Sequence, residues 1–185
     1  LLIFAGSQAL NEYAEGLRKF PAILNALRAG LIVAALAHIF FAVRLNMENK
    51  AARPVAYASK KFLRATFASK HMVLTGLLLL FYILFHLGHL TFRFVNNDFA
   101  HLGPYQVYEM LQITFKNPAM VGIYCAASIV LGLHLSHGLT SLFQTLGLNS
   151  KKSGPMIEKI GPIVGWALAV LYMSIPLSVF FGCVK

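Results

Sequence analysis

Four stretches of this chain, at residues 22–43, 72–92, 119–142 and 160–184, are apolar over enough length to cross a bilayer as helices. At the α-helical rise each covers about 30 Å, the thickness of the hydrocarbon layer. Lipid offers no hydrogen-bond partners, so every backbone amide and carbonyl in a span must be satisfied within the chain, which a helix does by itself. Composition agrees: of 185 residues 58% are hydrophobic and only 12% charged, too few polar groups to clothe a soluble globule. The expectation is one all-α integral membrane bundle over residues 1–185, with no connection long enough to hold a separate domain. Residues 1–6, Leu1-Leu2-Ile3-Phe4-Ala5-Gly6, are apolar and do not start with methionine. They read as the last turn of a helix whose body lies upstream, which would bring the complete protein to five spans.

Local signals divide the rest. Leu10, Tyr13, Ala14 and Leu17 are spaced for one face of a short amphipathic surface helix over 7–20. Val107, Met110, Leu111 and Thr114 make a similar pattern within 104–115. Ser69 is placed to cap the second span, and Asn117-Pro118 to open the third with Asn as cap and Pro in the first turn. Gly147 with Asn149 should end the third span, and Gly154-Pro155 should separate it from the fourth. Cys125 and Cys183 lie in or beside apolar spans without close pairing, which points to small buried hydrophobes, not to a disulfide framework or a zinc site.

The formal charge of +10 does not point to nucleic acid, because of where it falls. Between the first two spans stand Arg44, Lys50, Arg53, Lys60, Lys61, Arg64 and Lys70 against Glu48 alone; between the last two stand Lys151, Lys152 and Lys159 against Glu158. Both loops are expected on the cytoplasmic side. The intervening loops are balanced, with Glu12, Glu15, Arg18 and Lys19 in one and Arg93, Asp98, Glu109 and Lys116 in the other. They belong outside.

Five histidines fall within the spans: His38, His86, His89, His134 and His137; His71 marks the inner end of the second span and His101 lies in an outer loop. An ionisable side chain at membrane depth is costly and marks function by default. Counting from the basic loops, His38 lies about 9 Å and His134 about 15 Å from the inner boundary, whereas His86 lies about 24 Å from it. Two imidazoles at one depth on different helices suit a six-coordinate, electron-transferring haem iron. Small residues flank them, Ala34, Ala35 and Ala42 beside His38 and Ala127 and Gly138 beside His134, leaving room for a flat macrocycle. His86, His89 and Arg93 form one stripe on the second span, and His134, His137 and Ser141 another on the third. The same residues admit a second reading, in which the histidines only hydrogen-bond neighbouring helices. Zinc is disfavoured because Cys, Asp and Glu do not accompany the histidines, and a transporter because the spans hold no acidic residue.

The run from His134 to Asn149, HLSHGLTSLFQTLGLN, resembles the fourth-helix signature of the single-subunit, di-haem cytochrome b558 membrane anchors of bacterial succinate dehydrogenases and fumarate reductases. Thr75-Gly76 followed by His86, Ala37-His38 approaching Arg44, the entry Asn11-Glu12-Tyr13-Ala14 and the start Asn117-Pro118 extend the likeness over nearly the whole chain. The resemblance implies five helices and two b haems. His38 and His134 would bind the inner haem, and His86 the outer one with a histidine from the first helix, which this chain lacks. Arg44, Lys70, His71 and Arg93 become candidates for propionate contacts, and His89, His137 and Ser141 for support around the ligands. The family also implies a flavoprotein and an iron-sulfur protein on the cytoplasmic face of the bacterial inner membrane, with membrane quinone as the other electron partner. No flavin-binding glycine motif, cysteine cluster or dicarboxylate-binding arginine cluster occurs in this chain, so only the electron path and quinone chemistry would fall to it; no quinone residue is assigned. A haem subunit of the formate dehydrogenase or hydrogenase type would share the histidine pairs, and a haem-free anchor or transporter would use the histidines as cross-links alone.

If the basic 44–70 loop lies against an iron-sulfur partner, proteolysis within 50–64 should be slow in the assembled complex and fast in the isolated chain. Equal cleavage in both states would leave membrane topology as the only reason for its charge.

Overall fold

The computed structural model describes residues 2–52, 66–95 and 97–184. Among them are helices α1 (Ser7–Arg18), α2 (Pro21–Ala51), α3 (Phe67–Lys70), α4 (Met72–His86), α5 (Val107–Lys116), α6 (Pro118–Thr145) and α7 (Gly154–Phe180), and no strand. A π-helical turn at Leu87–Thr91 continues α4, and 3-10 turns occupy Leu2–Ala5 and Asn97–Phe99. The protein is an all-α helical bundle. Four helices, α2, α4 with its π turn, α6 and α7, are long and apolar enough to cross a membrane. No more than 33% of the most apolar window of any of them is buried within the protein. Side chains such as Phe81, Ile163 and Val170 stay exposed, which an aqueous surface tolerates singly but not over whole helices. It is a multi-pass membrane protein.

The helix ends show why the sequence boundaries shift. Asn117 caps α6 as expected, its Oδ1 accepting from the amide of Ala119 at 2.9 Å. Gly147, at φ +72°, ends α6 with the amides of Gly147 and Leu148 returning to the carbonyls of Gln144 and Phe143, the Schellman arrangement. Gly182, at φ +71°, does the same for α7, its own amide bonding Val179 and that of Cys183 bonding Ser178. The fourth span therefore stops at Phe180, before the expected 184. It also starts early. Gly154-Pro155 does not separate two helices but opens α7, because proline fits the first turn, where its missing amide has no helical partner to lose. Ser69 is not the cap of the second span: Thr66 Oγ1 accepts from the amide of Ser69 at 3.1 Å to cap the short α3, and α4 starts after His71. Residues 44–51 prolong α2 beyond the expected span, carrying an exposed ion pair between Arg44 and Glu48 at 2.8 Å one turn apart.

Residues 1–12 with 66–185 form one compact unit and residues 13–65 a second. In the first, α6 packs along α7, α4 lies against α6, and α5 lies against α6 and α7. The core at one end is built from Ile3, Tyr108, Phe115, Val121, Tyr124 and Val179. α5 is therefore no surface helix, since Tyr108, Met110, Thr114 and Phe115 are buried. Asn11 ties the entry segment to it, donating to Glu109 at 3.0 Å and accepting from the amide of Tyr108 at 3.0 Å. In the second unit α2 buries none of its residues.

The α6–α7 contact rests on small residues at four-residue spacing, Gly132 and Ser136 facing Gly161, Gly165 and Ala169. A Cβ on Gly165 would lie 2.6 Å from the Gly132 carbonyl and 2.9 Å from the Ser136 amide, both backbone. On Gly161 it would run into the Ser136 carbonyl. Hydroxyls on this face are satisfied within α6: Ser128 donates to the Tyr124 carbonyl at 2.8 Å and Ser136 to that of Gly132 at 2.6 Å, so lipid burial leaves them no unmet donor. Gly165→Ala should destabilise the purified protein by about 1–3 kcal/mol through overpacking. Gly122→Ala, where an added Cβ meets nothing within 4 Å, should be neutral or stabilising. Thermal unfolding in detergent measures both, and equal effects would show that the backbones do not need this close approach.

Candidate functional site at two depths

Two residues, about 200° of helical rotation, separate Ser136 from His134 on α6. With Ser136 held against α7, His134 is turned to α4. There Thr75, 5% exposed, brings Oγ1 to 3.0 Å from His134 Nδ1. The same hydroxyl lies 3.1 Å from the carbonyls of His71 and Met72. The hydroxyl has one proton for these two carbonyls and Nδ1, so which of Thr75 and His134 donates follows from the imidazole tautomer. In the tautomer with the proton on Nδ1, Thr75 accepts from His134 and the imidazole lone pair lies on Nε2, the form a metal-ligating histidine adopts. Beside it lies Gly76, where a Cβ would make an ordinary van der Waals contact with His134 Cε1 at 3.4 Å. The Thr75-Gly76 pair is thus the seat of His134. His137 and Ser141 are half-buried on α6, and the Ser141 carbonyl accepts from Thr145 Oγ1 at 2.9 Å.

The second level lies toward the other end of α4. His86 is the eleventh residue after Thr75, about 16 Å further along the helix, and Tyr124, whose ring lies beside His86, is ten residues from His134, about 15 Å along α6. The two estimates agree. Counting depths from the loops gave only about 9 Å between the levels, because it set the inner ends of both spans at one plane. The Thr75–His134 contact shows instead that those ends are staggered.

His86 closes α4 with its Nδ1 buried and without a hydrogen-bond partner among the described residues. Its ring lies 5.8 Å from that of Tyr82 and 5.9 Å from that of Tyr124. His89, in the π turn, is fully buried. Its Nδ1 is 3.1 Å from the Tyr124 hydroxyl, and its Nε2 has no partner among the described residues. Phe99 stacks on its ring at 5.5 Å.

The straight stripe expected through His86, His89 and Arg93 does not form. The π turn, wider than an α turn, gives less rotation per residue between them, and the chain leaves the helix before Arg93, whose φ is +59°. The Arg93 guanidinium donates to the carbonyls of Leu102 and Gly103 at 3.2 to 3.3 Å, clasping the following loop. Of the other cations, Arg44 is paired with Glu48 on α2, Lys70 ends α3, and His71 Nδ1 donates to the Phe67 carbonyl at 2.8 Å. Arg53, Lys60, Lys61 and Arg64 lie outside the described residues. His38 stands on α2, in the second unit.

Sequence reasoning passed over Tyr124, Thr75 as a histidine partner, and the glycine face of α7. Each had a signal: a tyrosine within an apolar span needs a partner for its hydroxyl, and Gly161-x-x-x-Gly165-x-x-x-Ala169 is a helix-packing pattern. Cys125 is half-buried and Cys183 exposed, both as free thiols. Comparison with protein-family models, with curated proteins and with solved structures gives no match to this chain.

Proposed function

We propose that the chain is the haem b-carrying membrane anchor of a succinate:quinone oxidoreductase or fumarate reductase, passing electrons between an iron-sulfur partner and membrane quinone. The observation that carries the reading is His134. An imidazole inside an apolar span whose Nδ1 meets a threonine hydroxyl on the neighbouring helix at 3.0 Å has the supporting hydrogen bond that orients a metal-ligating histidine. It stands in the HLSHGLTSLFQTLGLN run that carries the family resemblance. His86, about 16 Å further along α4, is the second ligand position that the resemblance implies, and its Nδ1, like His89 Nε2, is buried without a hydrogen-bond partner among the described residues.

In this reading, as the family resemblance implies, His134 and His38 would hold the inner haem and His86 the outer one. When bound, haem b would supply one-electron transfer. Thr75 keeps His134 oriented, and the apolar faces of α4 and α6 exclude water. The cationic loops 44–70 and 151–159 would face the bacterial cytoplasm, where the flavoprotein and iron-sulfur protein dock, and their charge complements haem propionates and an acidic partner surface. Quinone would exchange electrons from the lipid phase. The Thr75–His134 bond also serves a haem-free reading, in which the histidines only cross-link helices. A reduced-minus-oxidised spectrum without b-type absorbance would establish that alternative.

His38→Ala and His134→Ala should each remove the inner haem and spare the outer. Thr75→Val, of nearly the same volume, should weaken inner-haem retention by about 10–100-fold, measured by transfer to an apo-globin acceptor. Loss of the outer haem instead would reverse the assignment of depths. His86→Ala should depress quinone turnover more than succinate oxidation by a dye that reacts at the soluble subunits; equal loss of both would indicate failed assembly.

A further inference from the structure

His89 is the one histidine of α4 and its π turn that the proposed ligand set leaves unused, and it is also fully buried. A leucine or phenylalanine would fill the same space without leaving Nε2 unmet. What the imidazole adds is its bond to Tyr124, at 3.1 Å. Tyr124 in turn stands beside His86, with ring centroids 5.9 Å apart, and is wedged edge-on against Tyr82 at 5.5 Å and Phe115 at 5.1 Å. On its far side His89 stacks against Phe99, which belongs to the loop that Arg93 clasps. The π turn brings this about, placing His89 so that both histidine rings approach the one phenol, at 5.9 and 6.0 Å.

Resting on the reading that His86 holds the outer haem, we propose that His89 is a positioning residue, acting through Tyr124 to fix the orientation and polarity of the surroundings of His86 and so to set the outer haem's reduction potential. The hydrogen-bonded phenol and imidazole add a polar pair to the aromatic wall beside His86, in which the ring of Tyr82 also stands at 5.8 Å. Removing either makes the surroundings less polar, which disfavours the more highly charged ferric state and raises the potential. The hydrogen bond makes the two residues one device, so the effect of losing either includes most of the effect of losing both.

The test is a potentiometric titration of the b-type absorbance in the full complex, in native membranes, for His89→Leu, Tyr124→Phe, His89→Gln and the double variant His89→Leu/Tyr124→Phe. The two single substitutions should shift the outer haem's reduction equilibrium by about threefold to tenfold, which is about 28 to 59 mV upward for a one-electron couple. The double variant should shift no further than the larger single one, His89→Gln should recover at least half of the shift, and the inner haem should keep its potential. Tyr124→Phe preserves the packing, so it decides the matter if His89→Leu fails to assemble. A wild-type outer potential in Tyr124→Phe with the haem retained, or equal shifts of both haems, would overturn the proposal. A wild-type complex without b-type absorbance would overturn the functional reading and this inference with it, whereas a wild-type spectrum with two b haems and unmoved potentials in the variants would overturn this inference alone.

Discussion

The close approach of α6 and α7 decides most of the arrangement of the first unit. Lipid supplies no hydrophobic force between apolar helices, so their association depends on how near the backbones can come. Gly161, Gly165 and Gly132 remove the side chains that would hold them apart, and Ser136 and Ser128 fold their hydroxyls onto their own helix. Once that face of α6 is committed to α7, its rotation about its own axis is fixed. His134 is then turned toward α4, and Tyr124, nearer the other end, meets both α4 and its π turn.

Two polar contacts of different kinds result, about 15 Å apart along α6. At one, a threonine hydroxyl that also meets two backbone carbonyls bonds His134 Nδ1, with a glycine beside the ring. At the other, a tyrosine hydroxyl and His89 bond each other inside an aromatic shell, while His86 stands next to them with a buried nitrogen that the described residues leave unmet. The first arrangement orients an imidazole through its own ring nitrogen, and the second places a hydrogen-bonded pair of rings beside a third. Such groups are costly in hydrocarbon, which is why their arrangement weighs more in a functional reading than the far more numerous apolar contacts.

The spans, the Asn117-Pro118 entry and the Gly147 stop were legible because they depend on local physics: hydropathy over a length set by the bilayer, a capping side chain, and a left-handed glycine. The errors fell where one residue type has two local uses. Gly154-Pro155 reads as a break but proline also starts helices, and Ser69 has the chemistry of a cap but is itself capped by Thr66. The amphipathic pattern of 104–115 identified a helix but not its burial, since a polar face can meet Asn11 and Gln112 can reach the Val184 carbonyl instead of water.

For the candidate site the division is similar. The sequence by itself determined which ionisable groups enter the membrane, since hydropathy and the positions of His38, His86, His89, His134 and His137 are properties of the chain alone. It also determined that His134 and His86 stand at different depths, because helical rise is constant. Tertiary structure alone decided which partner each ring meets and by which nitrogen, that Arg93 clasps a loop and does not extend a histidine stripe, and that Tyr124 links His89 to His86. The physical reason is that helical periodicity gives relative angles along one helix but not its absolute rotation, and here the rotation of α6 is set by glycines on another helix, nearly thirty residues away in sequence from the histidine they turn.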